Sequence, residues 1–198
     1  MKQPIIYLIT KGEATPENFA KKQGEILEII TLMIPYGVTH VQIREKHLSA
    51  HLLFKLAAAA ANITSNTGTK LLVNGRADIA LAAGADGVHL PANSLSPRTV
   101  RAAFPNDFVI GVSTHSLEAA ESAKKQNADL VTYGPVFSSP GKGPPKGISC
   151  LASVCERLGS FPVIALGGID KNNFQDVLDA GAAGFAAIRS LNDKVYWE

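Results

Sequence analysis

Eight short apolar runs recur along the chain, each followed by a helical pattern, and this alternation limits the fold more than any other feature. IIYLI (5–9), VTHVQIR (38–44), KLLVN (70–74), GVHL (87–90), FVIGVS (108–113), DLVTYG (129–134), FPVIALGG (161–168) and GFAAI (184–188) read as strands. Most are apolar throughout rather than alternating, as parallel strands covered by helices should be. Helical patterns fill the gaps at 17–34, 50–65, 76–83, 97–103, 116–126, 148–158 and 171–180. At PYGVTHV, AAGADGVHL and DAGAAGFAAI a glycine ends one element and the next strand starts within a few residues. A closed (β/α)8 TIM barrel with a short or truncated last helix accounts for this order. An open doubly wound sheet would need eight parallel strands without the GxGxxG of a dinucleotide-binding first turn, which is absent. The tail LNDKVYWE supplies a brief eighth helix, or else leaves the barrel to lean on a partner there, as in a homodimer.

The chain of 198 residues suits one domain, a single TIM barrel over 1–198. A formal net charge of +2 without a Lys/Arg block gives no electrostatic case for nucleic acid. A local positive patch for an anionic small molecule stays open. Cys150 and Cys155 form neither CxxC nor an even-spaced framework, which fits a reducing cytoplasm. Neither a signal peptide nor an apolar stretch of membrane-spanning length is expected, so a cytoplasmic enzyme with no membrane partner is the expectation.

In such a barrel the site lies at the C-terminal ends of the strands. Those ends carry Thr10, then Gln42, Arg44 and Lys46, then Asn74, His89, Ser113 with His115, and Ser139 with Lys142. Gly167-Gly168 closes strand seven and Arg189-Ser190 closes strand eight. Backbone N–H groups of the glycine turn, aided by helix dipoles, make a phosphate site there with Gly167, Gly168, Arg189 and Ser190; the bland alternative is a tight turn only. Gln42, Arg44 and Lys46 alternate with Ile43 and Glu45, so one face collects a polar or doubly phosphorylated ligand, or else forms a charged loop. Gln42 inside a strand requires a partner if buried. Loop 134–147, GPVFSSPGKGPPKG, suits a lid or a merely solvated loop. His115, an imidazole at a strand end, suits proton transfer, the bland alternative being a helix N-terminal residue with Ser113 or Thr114 as the cap. His89 and His40 read as core or supporting histidines, His47 and His51 as surface ones. No histidine spacing supports a metal cluster.

VQIREK, LVNGRADIALAAGADGVHLP, GVSTHSLEAA, YGPVF followed by a lysine, and ALGGI together resemble the thiamine phosphate synthase and TenI superfamily, from Tyr7 to Arg189. The synthase branch joins an aminopyrimidine diphosphate to a thiazole phosphate with Mg2+. Its pattern holds the metal with two aspartates, which fall here on Gly75 and Ser94. The TenI-like branch usually lacks those acids and tautomerises a thiazole carboxylate phosphate. NGRADIAL, VHLPANSLSPRTVRAAFP and HSLEAA are closer to this branch, whose catalytic histidine falls on His115. By resemblance Gln42, Arg44, Lys46, Asn74, Ser113 and Lys142 match synthase substrate contacts, whereas Arg189, Ser139 and Gly141 depart from that pattern.

Three readings follow. The first is a thiazole tautomerase using His115, with a phosphorylated thiazole as ligand, no cofactor and no metal. The second is a thiamine phosphate synthase, with Mg2+ required. The third is a non-catalytic phosphate-ligand binder on a closed-over pocket.

Overall fold

A computed structural model describes residues 3–193. Eight parallel strands close into a barrel in sequence order: β1 (Ile5–Ile9), β2 (His40–Ile43), β3 (Lys70–Asn74), β4 (Gly87–Leu90), β5 (Val109–Thr114), β6 (Leu130–Tyr133), β7 (Val163–Leu166) and β8 (Gly184–Ala187). β1 and β8 close the ring, with Tyr7 opposite Ala186. The helices between them are α1 (Phe19–Met33), α2 (Ala50–Thr64), α3 (Ala77–Ala82), α4 (Pro97–Ala103), α5 (Leu117–Lys125), α6 (Ile148–Leu158) and α7 (Phe174–Asp179). The eighth is reduced to a 3-10 turn, Ser190–Asn192. The remainder of the tail, 194–198, lies outside the described residues.

Local chemistry sets several helix starts. Ser49, Ser96 and Ser116 each accept a backbone N–H of the first turn, from Leu52, Thr99 and Ala119. Each such cap contributes about 1 kcal/mol. Ser116, not Ser113 or Thr114, is therefore the cap that precedes α5, which releases both of those side chains for other work. α1 begins at Phe19 rather than 17, because Asn18 first accepts the Thr15 N–H in a turn. α7 is six residues long rather than ten, starting well beyond the glycine turn.

The core has two compartments. The larger lies between sheet and helices, with Leu8, Val41, Leu56 and Ile110 fully buried. The smaller fills the barrel interior with Tyr7, Ile9, Leu72, Leu130, Ile164 and Ala186. The paired register runs Ile9–Gln42–Leu72 on one side of the ring and Asn74–His89–Gly111–Leu130 next to it. Polar side chains thus enter the interior among apolar ones, toward the strand C-termini, and each must find a partner there.

Candidate functional site

The buried layer beneath the mouth is a connected polar group. Gln42 donates from Nε2 to the Tyr7 hydroxyl at 3.2 Å. The same hydroxyl lies 3.2 Å from Nδ1 of His89, and Nε2 of His89 lies 2.9 Å from Oγ of Ser113. Tyr7, Gln42 and His89 are all essentially solvent-free. Burial raises the Tyr7 pKa above its ordinary value, against a smaller lowering by Gln42. Burial, then the Arg44 charge, pushes His89 down to about 3, so its ring is neutral across ordinary pH. His89, expected among the substrate-binding residues, lies inside the barrel with Tyr7 and Ser113 as its partners. Tyr7 was missed: in IIYLI it reads as one more apolar position, and only the barrel closure shows its hydroxyl facing His89.

The rim carries cations. Arg44 is anchored by its N–H to the Thr10 hydroxyl at 2.8 Å. Lys46 is exposed, and its ammonium pKa is lowered by the Arg44 charge first, then by partial burial, then by Lys142. Three positive groups from two loops therefore share one electrostatic neighbourhood. Glu45, between two of them, turns the other way. Buried, it accepts from the Gly12 and Ala14 N–H groups at 3.0 and 2.8 Å, fixing the loop after β1.

Two of the depressions at this face are lined by the expected residues. One of about 300 Å³ is lined by Lys46, Asn74, Gly75 and Arg76 among others. The other, about 570 Å³, is lined by Ser138, Ser139 and Lys142, by Gly167 and Gly168, and by Arg189, Ser190 and Asp193. The second brings together every residue expected to hold phosphate, plus Ser139 and Lys142 from loop 134–147. Its floor is the glycine turn. Gly167 and Gly168 take φ values of 104° and 66°, and a Cβ on Gly168 would fall 2.4 Å from the Ser138 carbonyl. Only glycine fits that combination. Asn173 braces the turn by donating to the Gly168 carbonyl and accepting the Asp170 N–H, both at 2.9 Å. Ser190 is buried and donates its hydroxyl to the Ile169 carbonyl at 2.8 Å, so it ties strand eight to the turn. α7 starts only at Phe174, six residues beyond Gly168. The base of loop 134–147 is strand-like, since Val136 and Phe137 donate to the Leu166 and Gly167 carbonyls at 2.9 and 3.0 Å. Its tip holds Lys142.

His115 lines neither depression. It stands one strand away from the larger one, exposed, with Nδ1 2.7 Å from the Gly134 carbonyl at the end of β6. A carbonyl only accepts, so Nδ1 carries a proton, which leaves Nε2 as the nitrogen free to exchange one. His47 and His51 are exposed, as expected, and His40 is half-buried with a pKa pushed down to about 4 by burial.

The positions that a Mg2+ site would use do not fit that ion. Gly75 has no side chain, and its N–H is spent on the His89 carbonyl at 2.9 Å. Ser94 is an exposed hydroxyl. The nearest acid in sequence, Asp78, is held by Arg76 in a two-point pair at 2.9 and 2.6 Å, which lowers its pKa. Asp86 is engaged at the opposite end of the barrel by Lys70 and the Leu71 N–H. Among the described residues no cluster of three His, Cys, Asp or Glu side chains could hold a metal. At positions 75 and 94 a hard ion that asks for carboxylate oxygens finds none. Both cysteines are free, and no described helix is long and apolar enough to cross a membrane.

Fold and mouth together define a class: a (β/α)8 barrel with a double-glycine turn beyond strands seven and eight and a cationic rim beyond strand two. Within that class the chain belongs to the TMP-TENI family, whose model, described as thiamine monophosphate synthase, matches residues 6–191. It is similar to "Putative thiamine-phosphate synthase 2" of Aquifex aeolicus, with 41% identity over 95% of this chain and 97% of that one. It is also similar to "Putative thiamine-phosphate synthase" of Geobacter sulfurreducens, with 42% identity over 84% and 79%. Among solved structures, a thiamine phosphate pyrophosphorylase from Pyrococcus furiosus superposes with a TM-score of 0.82 at 28% identity, covering 98% of this chain and 90% of that one.

Proposed function

We propose that the chain is an enzyme of thiamine-phosphate metabolism that binds a phosphorylated thiazole and moves a proton on it without a metal. The observation that carries the tautomerase reading is the loss of both metal-ligand positions, at Gly75 and Ser94, from a mouth whose anion grip is otherwise built. The phosphate would sit on the Gly167-Gly168 turn with Arg189 and Lys142. His115 would take and return the ring proton through Nε2, its tautomer held by the Gly134 carbonyl. Asn74 and Ser113 would contact the ring side of the ligand. The open 570 Å³ cavity is not what a closed-over, non-catalytic binder leads one to expect.

The synthase reading has its own support. The names of the relatives favour it over the tautomerase, and the Arg44, Lys46 and Lys142 cluster suits a diphosphate. With neither carboxylate present, the departing diphosphate would depend on those cations alone. One paired assay separates the two. The purified protein is given a thiazole carboxylate phosphate tautomer in one vessel. In the other it receives aminopyrimidine diphosphate, thiazole phosphate and Mg2+. Aromatised thiazole in the first with no thiamine phosphate in the second is the expected result. The opposite pattern would assign the synthase.

A further inference from the structure

The buried chain Gln42–Tyr7–His89–Ser113 has a direction, and the direction leads toward the barrel mouth. Gln42 donates to the Tyr7 oxygen, so the Tyr7 proton is free to go only onward, to Nδ1 of His89. Nδ1 is then the acceptor of a neutral ring, which places the ring proton on Nε2. That N–H faces Oγ of Ser113 at 2.9 Å, with the Thr132 hydroxyl a weak second neighbour at 3.5 Å. Ser113 therefore receives a hydrogen bond from below. Its own proton is left to turn up into the barrel mouth, where the side chain is half-exposed.

We propose that Tyr7 and His89 are positioning residues that make Ser113 a hydrogen-bond donor to an acceptor atom of the bound heterocycle. The site would thereby select a ring carrying a lone pair at that point and reject one carrying an N–H there.

Two further observations fit. The His89 ring is seated against Gly111, the residue opposite it on β5, where a Cβ would fall 2.8 Å from Nδ1. The ring also meets Tyr7 edge-on, with centroids 5.7 Å apart. Its orientation is thus fixed by packing as well as by hydrogen bonds. Burial and the Arg44 charge keep it from becoming an imidazolium, which would donate from both nitrogens and erase the direction. The relay holds for either reaction considered above, because it concerns how the ring is recognised.

The test is the ring tautomer, read by 15N-resolved NMR of histidine-labelled protein at neutral pH. Wild type should show a pyrrole-type Nε2 and a pyridine-type Nδ1 for His89. A proton on Nδ1, or a doubly protonated ring, would overturn the proposal without any variant being made. Tyr7→Phe should abolish the preference, giving a mixed or inverted tautomer; an unchanged tautomer would count equally against it. In binding assays with thiazole phosphate, Ser113→Ala and Tyr7→Phe should each raise Kd by roughly tenfold. Affinity for inorganic phosphate, held at the glycine turn, should stay unchanged. Equal losses for both probes would mean that the variants merely loosen the barrel. If thiazole phosphate does not bind wild type at all, the proposed function fails while the tautomer result still decides the relay.

Discussion

The two sides of the barrel mouth have been built to different standards. Beyond strands seven and eight, backbone does the work: a glycine turn that no other residue fits, braced by Asn173 and by Ser190, with Arg189 at its edge. Beyond strands two to four, side chains do the work, and the set is incomplete for a metal. Arg44 and Lys46 remain, whereas Gly75 and Ser94 offer no carboxylate. A backbone turn would be indifferent to what is done with a phosphate placed on it, so it is compatible with any chemistry of the family. The side-chain half keeps cations and lacks the two acids, and the proton transfer by His115 proposed above rests on that difference.

The sharpest way to break this contrast is His115→Asn. Turnover should fall by about 10²–10⁴-fold, the range of general acid–base contributions, while the Kd for thiazole phosphate stays within a factor of two or so. Unchanged turnover would move the chemistry to another group. Arg189→Ala attacks the other half. It should weaken binding of phosphorylated ligand by about 10–100-fold, as loss of a charge-assisted contact does, and leave the His115 tautomer in place. Calorimetric titration with inorganic phosphate checks it.

Below the mouth, Gly111→Ala should cost about 1–3 kcal/mol in urea unfolding, because the new methyl overlaps the His89 ring. A fourth test is pH dependence. His40 and His89 have folded pKa values near 4 and 3, below the ordinary 6.5, so the unfolded chain binds more protons than the native one as pH falls. The stability of the neutral buried rings is fully present above pH 6.5 and is lost below it. Between about pH 6 and 4.5 it should decline by at most about 1.4 kcal/mol per pH unit for each ring. His40→Gln should halve that slope.

Much of this was legible in the chain. The strands at 5–9, 70–74 and 87–90 and the helix at 148–158 lie where the pattern puts them, because apolar runs bounded by Asn, Gly and Pro leave little choice of register. The glycine turn and the cations at 44, 46 and 142 followed from strand order alone. β2 and β7 proved shorter than their apolar runs, since flanking residues such as Val38 and Phe161 pack against helices without joining the ladder. What stayed hidden depends on closure. Tyr7 and His89 are 82 residues apart and meet only inside the ring. The engagement of Asp78 by Arg76 and of Ser190 by Ile169 likewise needs the folded geometry. The direction of a hydrogen-bond chain is set by its first donor, here a glutamine amide that no residue pattern can orient.

Metal independence is the most direct point of contact with experiment. Turnover of the thiazole carboxylate phosphate tautomer should be measured after exhaustive chelation and again with Mg2+ restored. Equal rates, both abolished by His115→Asn, are what this account predicts. Activity that disappears with chelation and returns with Mg2+ would contradict it, and would show that the chain finds metal ligands other than Gly75 and Ser94.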